Sequence, residues 1–222
     1  MNQRKTALLS GWSLIVIAIL AGFSIGYALP EFNQAENIED LKELFQTRQR
    51  LYVAMLLGLF LIVLLDLVVS IMLYKYFKKI SKKYALIAAI SRILYTLIFS
   101  IAIYFLILNA ANEDLSNPQI NQNFRLFEAI WNGGLVIFGV HLSLIGYLMM
   151  WENTIPRPLV FLALFAGLSY VGVHSLKLYS AHLPFLANLE IGLAFPMALG
   201  ELAFAVWLVA KGGKPSKVPS LQ

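Results

Sequence analysis

The sequence has no cysteine and few charged residues. Without cysteine, the chain can form neither disulfide bonds nor thiolate metal sites, and it has no thiol nucleophile. Charged residues make up 13% of the 222 residues against 59% hydrophobic ones, and the mean hydropathy is +0.74. Lysine and arginine lie at the ends of apolar runs rather than on one polar face, so we expect no nucleic-acid partner. The composition predicts one membrane domain over residues 1–222.

Long apolar runs are the main feature that the sequence does contain. A helix needs about 20 residues to cross the hydrocarbon core of a bilayer. Six runs reach this length and predict an all-α integral membrane protein, a six-transmembrane-helix bundle, with spans near residues 6–29, 51–76, 84–110, 126–151, 159–179 and 188–210. The first run exceeds a signal-peptide core and lacks a small-residue cleavage site after it, so we expect an uncleaved helix.

The segments between the spans differ in character. In the first outer segment, apolar residues recur at helical spacing (Ile38, Leu41, Leu44 and Phe45), which predicts a short outer amphipathic helix between the first two spans. A second outer loop covers residues 111–125, is rich in amides and acids, and is broken by Pro118. Residues 211–222 are expected to form a flexible basic cytoplasmic tail.

Lysine and arginine are divided unevenly between the two sides. Eleven lie on the side of both termini, and five lie on the opposite side. The positive-inside rule therefore predicts six helices with both termini cytoplasmic. Five of the eleven are in one hairpin (Lys75, Lys78, Lys79, Lys82 and Lys83), where orientation explains them and recognition of anionic lipid is the alternative.

Four ionisable residues lie at one depth in four different spans. Asp66 lies nine residues before Lys75, Arg92 nine after Lys83, His141 ten before Trp151 and Glu201 ten before Lys211. With a rise of 1.5 Å per residue, all four are about 14–15 Å from the inner edge. Ser169, in the fifth span, lies within about one residue's rise of the same level. We call Asp66, Arg92, His141 and Glu201 the polar tier.

Charges in hydrocarbon are costly, which constrains how the polar tier is arranged. An unpaired charge at the bilayer centre costs about 2.5–3.5 kcal/mol on insertion scales, so these side chains should face inward and pair. Asp66 and Arg92, on antiparallel helices joined by a short hairpin, are the expected ion pair, with Glu201 as a second partner for Arg92. With His141 neutral the polar tier carries a net charge of −1, so Glu201 holds a proton, His141 is cationic, or a cation binds.

The pattern permits two interpretations of the polar tier. In the first, it binds a ligand through the residues Asp66, Arg92, His141, Glu201, Tyr95 and Ser169, because ionisable groups within a membrane usually serve a function. In the second, Asp66 and Arg92 only clamp two helices together. Hydroxyl groups such as those of Ser169, Tyr95 and Tyr170 would then satisfy His141 and Glu201.

Two further features bear on helix motion and assembly. Pro196 is the only proline well inside a predicted span, so it should kink the sixth helix just over one turn before Glu201, and we predict a hinge there. Gly22 and Gly26 form a small-xxx-small pair that suggests a close helix contact within the bundle or in a homodimer.

A second polar group is expected nearer the outer face, either as a structural feature or as the mouth of an inward cavity. Its members are Glu128, Trp131, Asn132, His174, Lys177 and Glu190.

Several kinds of chemistry have no support in the sequence, and we predict no cofactor. His141 and His174 differ by about 9 Å in depth, which argues against haem held by two histidines. A metal at Asp66, His141 and Glu201 would have the positive charge of Arg92 in the same plane, so we predict no metal site. The sequence shows no phosphate-binding glycine loop and no G-x-S-x-G nucleophile motif.

Several short motifs resemble those of a known family. They are Leu64-Leu65-Asp66, Ser91-Arg92, FGVHLSLIGYL at 138–148, Ile155-Pro156-Arg157, and Gly200-Glu201-Leu202 followed by Trp207 and Lys211-Gly212. The chain from the second span onward resembles the bacterial membrane family catalogued as domain of unknown function 4386. The resemblance implies a six-helix inner-membrane protein without an assigned activity, and its motifs include the whole polar tier.

Three functional hypotheses follow. The first is a membrane protein that binds a small or lipid-like molecule at the polar tier, to transport or to sense it. In this scheme Arg92 holds an anionic or carbonyl group, Asp66 orients Arg92, and Glu201 with His141 exchanges a proton. The second is a non-catalytic membrane subunit or assembly factor. The third is an intramembrane enzyme acting on a lipid, with Glu201 or His141 as general base. Membrane lipids are expected partners in each case.

Overall fold

The computed structural model describes residues 2–33, 41–112, 115–179 and 184–214, and every regular element in them is helical. The elements are α1 (Gln3–Ala21), continued by a π-helix (Gly22–Ala28), then α2 (Pro30–Asn33), α3 (Leu41–Thr47), α4 (Gln49–Phe77), α5 (Lys82–Ala111), α6 (Asn117–Met150), α7 (Arg157–Tyr179) and α8 (Pro184–Ala210). Within the described residues, six helical stretches are long and apolar enough to cross a membrane. The prediction of an all-α, six-span protein is confirmed.

The six long helices form a closed ring. Helix α1 packs against α4, each later helix packs against the next in sequence, and α8 packs against α1. The most extensive contacts are those of α6 with α5 and with α7. Side chains directed towards the ring axis form one continuous apolar core, whereas bulky apolar side chains such as Phe161 and Phe195 point outward and are largely exposed. An apolar exterior of this kind is what hydrocarbon tails solvate.

Helix α6 begins nine residues before the predicted start of the fourth span at residue 126. Pro118, which we expected to break an outer loop, lies in the first turn of α6, where its missing N–H costs no helical hydrogen bond. The Gln119 side chain accepts a hydrogen bond from the backbone N–H of Ser116 (2.9 Å) and so caps the helix start. The predicted second outer loop is therefore largely helical.

The C-terminal part of the first span contains a seven-residue π-helix, which the sequence did not indicate. Gly22 and Gly26 lie on its exposed side, and a Cβ added at either would meet nothing within 4 Å. They make no close contact within the bundle, and their role in a homodimer stays a prediction. A close approach of the π-helix to α4 occurs instead at Gly58, where an added Cβ would clash with the Ser24 hydroxyl oxygen.

The first outer segment is held to the bundle by aromatic rings. Phe45 on α3 packs against Phe32 on α2 (5.4 Å between ring centroids) and against Tyr52 on α4 (4.6 Å). Arg48, just after α3, pairs with Glu31. A short helix thus does lie between the first two spans, although Ile38 and the side chain of Leu41 fall outside the described residues. Residues 215–222 of the predicted tail also lie outside them.

The two ends of the described chain meet at one end of the ring. The Arg4 guanidinium donates hydrogen bonds to the carbonyl oxygens of Leu208 (3.1 Å), Val209 (2.6 Å) and Gly212 (2.8 Å). The last carbonyl groups of a helix lack intrahelical donors, and a cation also interacts favourably with that end of the helix dipole. Arg4 therefore caps the C-terminal end of α8 and joins the last helix of the ring to the first.

Candidate functional site

The centre of the site is an ion pair between two consecutive helices. Asp66 on α4 and Arg92 on α5 are both almost completely buried, with 1% of each residue exposed. Arg92 donates to Asp66 Oδ1 from Nε (2.9 Å) and from Nη2 (2.6 Å). The short turn between Phe77 and Lys82 sets the register of the two helices, because it places both residues the same number of turns into the bundle. The predicted ion pair is confirmed.

Arg92 also reaches across the ring to two other helices. Its Nη1 donates to Glu201 Oε1 on α8 (2.7 Å) and to His141 Nε2 on α6 (3.2 Å). Four of the five guanidinium N–H groups are thereby engaged. The planar fork of arginine suits this arrangement, since it directs donors to several partners at once. The polar tier is thus one connected cluster, and the proximity of its four residues is confirmed.

The hydrogen bonds of His141 define its protonation state. Its Nδ1 lies 2.8 Å from the carbonyl oxygen of Ala88, which accepts hydrogen bonds and cannot donate them. The proton is therefore on Nδ1, and Nε2 is free to accept from Arg92, whose guanidinium only donates. His141 is neutral in this arrangement. Of the three charge states expected from the sequence, the cationic histidine is the one that this geometry excludes.

Glu201 differs from the other tier residues in exposure and in bonding. Its side chain is 22% exposed, whereas those of Arg92 and Asp66 are 1% and 2% exposed. It accepts one hydrogen bond from Arg92, whereas Asp66 accepts two. The Phe138 ring lies 5.4 Å from Arg92 Cζ and covers the guanidinium. Glu201 is therefore the accessible and more weakly held member of the polar tier.

Two predicted site residues lie beside the polar tier without joining its hydrogen bonds. Tyr95 is buried one turn beyond Arg92 and packs against Phe138 (4.9 Å between ring centroids). Ser169 is half-buried on α7. In the described parts of the chain, neither residue bonds to the four tier side chains, and no residue of α7 does so. A ligand-binding role for Tyr95 and Ser169 stays a prediction.

Sequence reasoning missed two of the groups that complete the site. The Ala88 carbonyl is a backbone atom, which no residue pattern reveals, although Ala88 lies one helical turn before Arg92. Phe138 lies three residues before His141, so helical spacing puts the two on one face of α6. That spacing could have predicted that the Phe138 ring lies beside the Arg92 guanidinium.

Pro196 lies inside α8, five residues before Glu201, and is half-buried. The helix continues on both sides of it, from Pro184 to Ala210. The proline removes one backbone donor from this stretch of α8, which is where the accessible residue of the polar tier is located. The hinge itself stays a prediction.

The outer polar group forms separate pairs rather than one cluster. Lys177 donates to Glu190 (2.7 Å), and His174 Nδ1 lies 2.8 Å from Asn132 Oδ1. Glu128 accepts from the side chain of Asn33 (3.0 Å). The indole nitrogen of Trp131 is buried and has no hydrogen-bond partner among the described residues. These pairs join α6 to α2 and to α7, and α7 to α8.

The described part of the chain was predicted to hold no metal, and its acidic and histidine side chains bear on that prediction. Within those residues no three His, Asp or Glu side chains converge as metal ligands. In the polar tier, the Arg92 guanidinium takes the central position between Asp66, His141 and Glu201.

The fold and the site together define a multi-pass helical membrane protein with a buried, arginine-centred ionic cluster. The chain belongs to the family described as Domain of unknown function (DUF4386), whose match covers residues 9–212 and thus the whole polar tier. An uncharacterized protein of Archaeoglobus fulgidus is 32% identical over 165 residues, which are 74% of this chain and 88% of that relative. No solved structure matches the chain.

Proposed function

We propose that the protein binds a small or lipid-like molecule at the polar tier, in order to transport or sense it. The single observation that carries this proposal is the asymmetry of the Arg92 contacts. Asp66 holds the guanidinium by two buried hydrogen bonds, whereas Glu201 is partly exposed and holds it by one. A ligand could therefore replace Glu201 at the guanidinium while Asp66 keeps Arg92 in position.

In the proposed mechanism an oxygen of the ligand replaces Glu201 at Arg92 Nη1. A carboxylate, phosphate or carbonyl oxygen suits this position, because guanidinium donors match planar and anionic acceptors. Asp66 keeps Arg92 in place during the exchange. Glu201, released from Arg92, takes up a proton, because an unpaired carboxylate in hydrocarbon is costly. The neutral His141 continues to accept from Nη1, so proton exchange in this scheme falls to Glu201 rather than to the histidine.

The proposed entry lies along α8. Glu201 is the accessible residue, and Pro196 precedes it on the same helix. A bend at Pro196 would move the part of α8 on its N-terminal side relative to the part that Arg4 anchors at its C-terminal end. The proline would thus act as the hinge that opens the polar tier.

Native mass spectrometry of the purified protein tests this proposal. We expect a discrete extra mass on the wild type that is lost in Arg92→Lys, because an ammonium keeps the charge but cannot hold Asp66 and a ligand oxygen through one planar fork. Glu201→Gln should retain an anionic ligand more strongly, since the competing carboxylate is gone. Glu190→Gln is the matched control, because it removes a partly exposed carboxylate from the same helix outside the polar tier.

The outcome that opposes the proposal is equally specific. An extra mass that survives in Arg92→Lys would place the ligand elsewhere. If no extra mass appears on the wild type or any variant, and Arg92→Lys is merely less stable, then the polar tier is a helix clamp.

We further propose that the protein lies in the cytoplasmic membrane with both termini cytoplasmic. The excess of lysine and arginine on that side supports this orientation. The absence of cysteine makes the test direct, because a single introduced thiol has no background. Thr154→Cys, in the turn before α7, should react with an impermeant maleimide only in inverted vesicles, and Thr47→Cys on α3 only in intact cells or right-side-out vesicles. The opposite labelling pattern would reverse the orientation.

A further inference from the structure

A groove separate from the polar tier lies at the inner end of α5 and α6. It has a volume of about 460 Å³ and is lined by Ile80, Ser81, Tyr84, Tyr147 and Trp151. The first two residues belong to the turn between α4 and α5, Tyr84 lies in the first turn of α5, and the last two lie at the end of α6. The groove therefore opens at the level where the helices leave the bilayer.

Three aromatic side chains form one wall of the groove. The Tyr84 and Tyr147 rings meet edge to face at 5.1 Å, and Tyr147 lies 6.4 Å from Trp151. Trp151 is 65% exposed, so its ring is free to contact a lipid. Tyrosine and tryptophan are enriched at the headgroup level of membranes because they combine an apolar body with a polar tip. Exposed Ile87 and Val140 continue the same face towards the bilayer centre, one turn and two turns deeper.

The charge around this groove is predominantly positive. Five lysines flank it, and none of them forms an ion pair in the described residues (Lys75, Lys78, Lys79, Lys82 and Lys83). No Asp or Glu occurs between Asp66 and Glu113 in the sequence, so the hairpin has no acid of its own. Glu152, which follows Trp151, accepts a hydrogen bond from Thr154. The Lys83 ammonium lies 5.9 Å from the centroid of the Tyr84 ring, at the edge of the groove.

We propose that this groove binds the headgroup of an anionic phospholipid in the leaflet that faces the hairpin. The lysine ammonium groups pair with the phosphate, and the Ser81 hydroxyl donates to a headgroup oxygen. The three aromatic rings pack against the glycerol and the upper acyl chains, which then follow Ile87 and Val140 into the bilayer. Membrane orientation requires only that lysines lie on this side, whereas a lipid site also requires a shaped groove with amphipathic walls beside them.

The test measures retention of defined lipids by the full-length protein. Delipidated protein in detergent is incubated with phosphatidylglycerol or phosphatidylcholine, and the bound lipids are counted by native mass spectrometry. We expect the wild type to retain phosphatidylglycerol preferentially, and less of it as salt is raised. The double variant Lys82→Gln/Lys83→Gln should lose roughly thirtyfold in affinity, since each lysine near an anionic surface contributes about 1 kcal/mol. Trp151→Ala should also lose phosphatidylglycerol, at unchanged net charge.

The matched control is Lys211→Gln/Lys214→Gln, which removes the same two charges from the inner side of the bundle away from the groove. It should retain phosphatidylglycerol as the wild type does. Equal retention of the two lipids by the wild type, or an equal loss in the control, would overturn the proposal. Displacement by water-soluble glycerol phosphate at the same concentration would also overturn it, in favour of a site for free phosphate.

Discussion

At the scale of single residues, Arg92 determines the properties of the site. Among the described residues, its guanidinium is the only group that bonds to Asp66, His141 and Glu201 together, and its side chain is 1% exposed. Burying a charge costs several kcal/mol unless paired hydrogen bonds offset it, so removal of one partner leaves the others in an unfavourable state. The ion pair is therefore best examined by comparing single and paired substitutions.

Arg92→Ala should lower the free energy of unfolding by about 3–5 kcal/mol, because it leaves Asp66 buried without a partner. The double variant Asp66→Leu/Arg92→Met should be closer to the wild type, since it removes both charges and fills the space with apolar atoms. Thermal unfolding in detergent measures both. If the double variant is no more stable than Arg92→Ala, the ion pair itself stabilises the fold, beyond offsetting the cost of burying its two charges.

The sequence predicted the residues of this cluster but not its bonding. Depth along a helix can be counted from the sequence, so Asp66, Arg92, His141 and Glu201 were assigned to one level before their contacts were known. The direction in which a side chain points around the helix axis is harder to predict from sequence. Ser169 on α7 lies near the predicted depth, but its hydroxyl group does not bond to the cluster. The Ala88 carbonyl was not predictable, because backbone acceptors become available only through the packing of a particular neighbour.

At the scale of helices, α6 and α7 pack closely because glycine residues lie where the two helices cross. A Cβ added at Gly139 would lie 2.7 Å from the Gly167 carbonyl oxygen, and one added at Gly167 would clash with the Ser143 hydroxyl oxygen. Small residues at such crossings let two helix backbones approach closely, which drives association within a bilayer. The small-residue pair that stood out in the sequence, Gly22 and Gly26, is not the one the bundle uses.

Gly139→Ala should destabilise the bundle by about 1–3 kcal/mol, because the added methyl group meets backbone atoms of α7 that cannot rotate away. Gly133→Ala is the control on the same helix, where an added Cβ meets nothing within 4 Å. That control should be neutral or slightly stabilising, since alanine favours a helix over glycine. Both can be measured by thermal unfolding in detergent, and equal destabilisation would contradict a close crossing at Gly139.

At the scale of the whole molecule, two arginines attach α8 to other helices at two depths. Arg92 and Glu201 join α5 to α8 across the middle of the ring, and Arg4 joins α1 to the C-terminal end of α8. Opposite helices otherwise make few backbone contacts in the described residues. The position of α8 therefore depends on its neighbours α1 and α7 and on these two arginines.

Arg4→Ala should loosen the last turn of α8, because three carbonyl oxygens lose the hydrogen bonds that they accept from the guanidinium. Hydrogen bonds to charged groups contribute about 1.5–3 kcal/mol each when buried and less here, where the contact is partly exposed. Hydrogen–deuterium exchange of residues 205–212 should quicken, whereas Lys5→Ala, which removes an exposed charge on the same turn of α1, should leave it unchanged. Unaltered exchange in Arg4→Ala would mean that packing alone holds the end of α8.

The cross-ring contact of Arg92 also imposes an order on biosynthesis. The ribosome delivers Asp66 and Arg92 close together, so they can enter the bilayer as a hairpin whose charges already neutralise each other. Glu201 is 109 residues further along the chain than Arg92 and emerges only with the final helix. Until then the Arg92 N–H that bonds to Glu201 has no acceptor, and the cluster in a nascent chain halted before α8 is incomplete. Truncation within the last helix should therefore mark the protein for membrane quality control, even though five of its six spans are already in place.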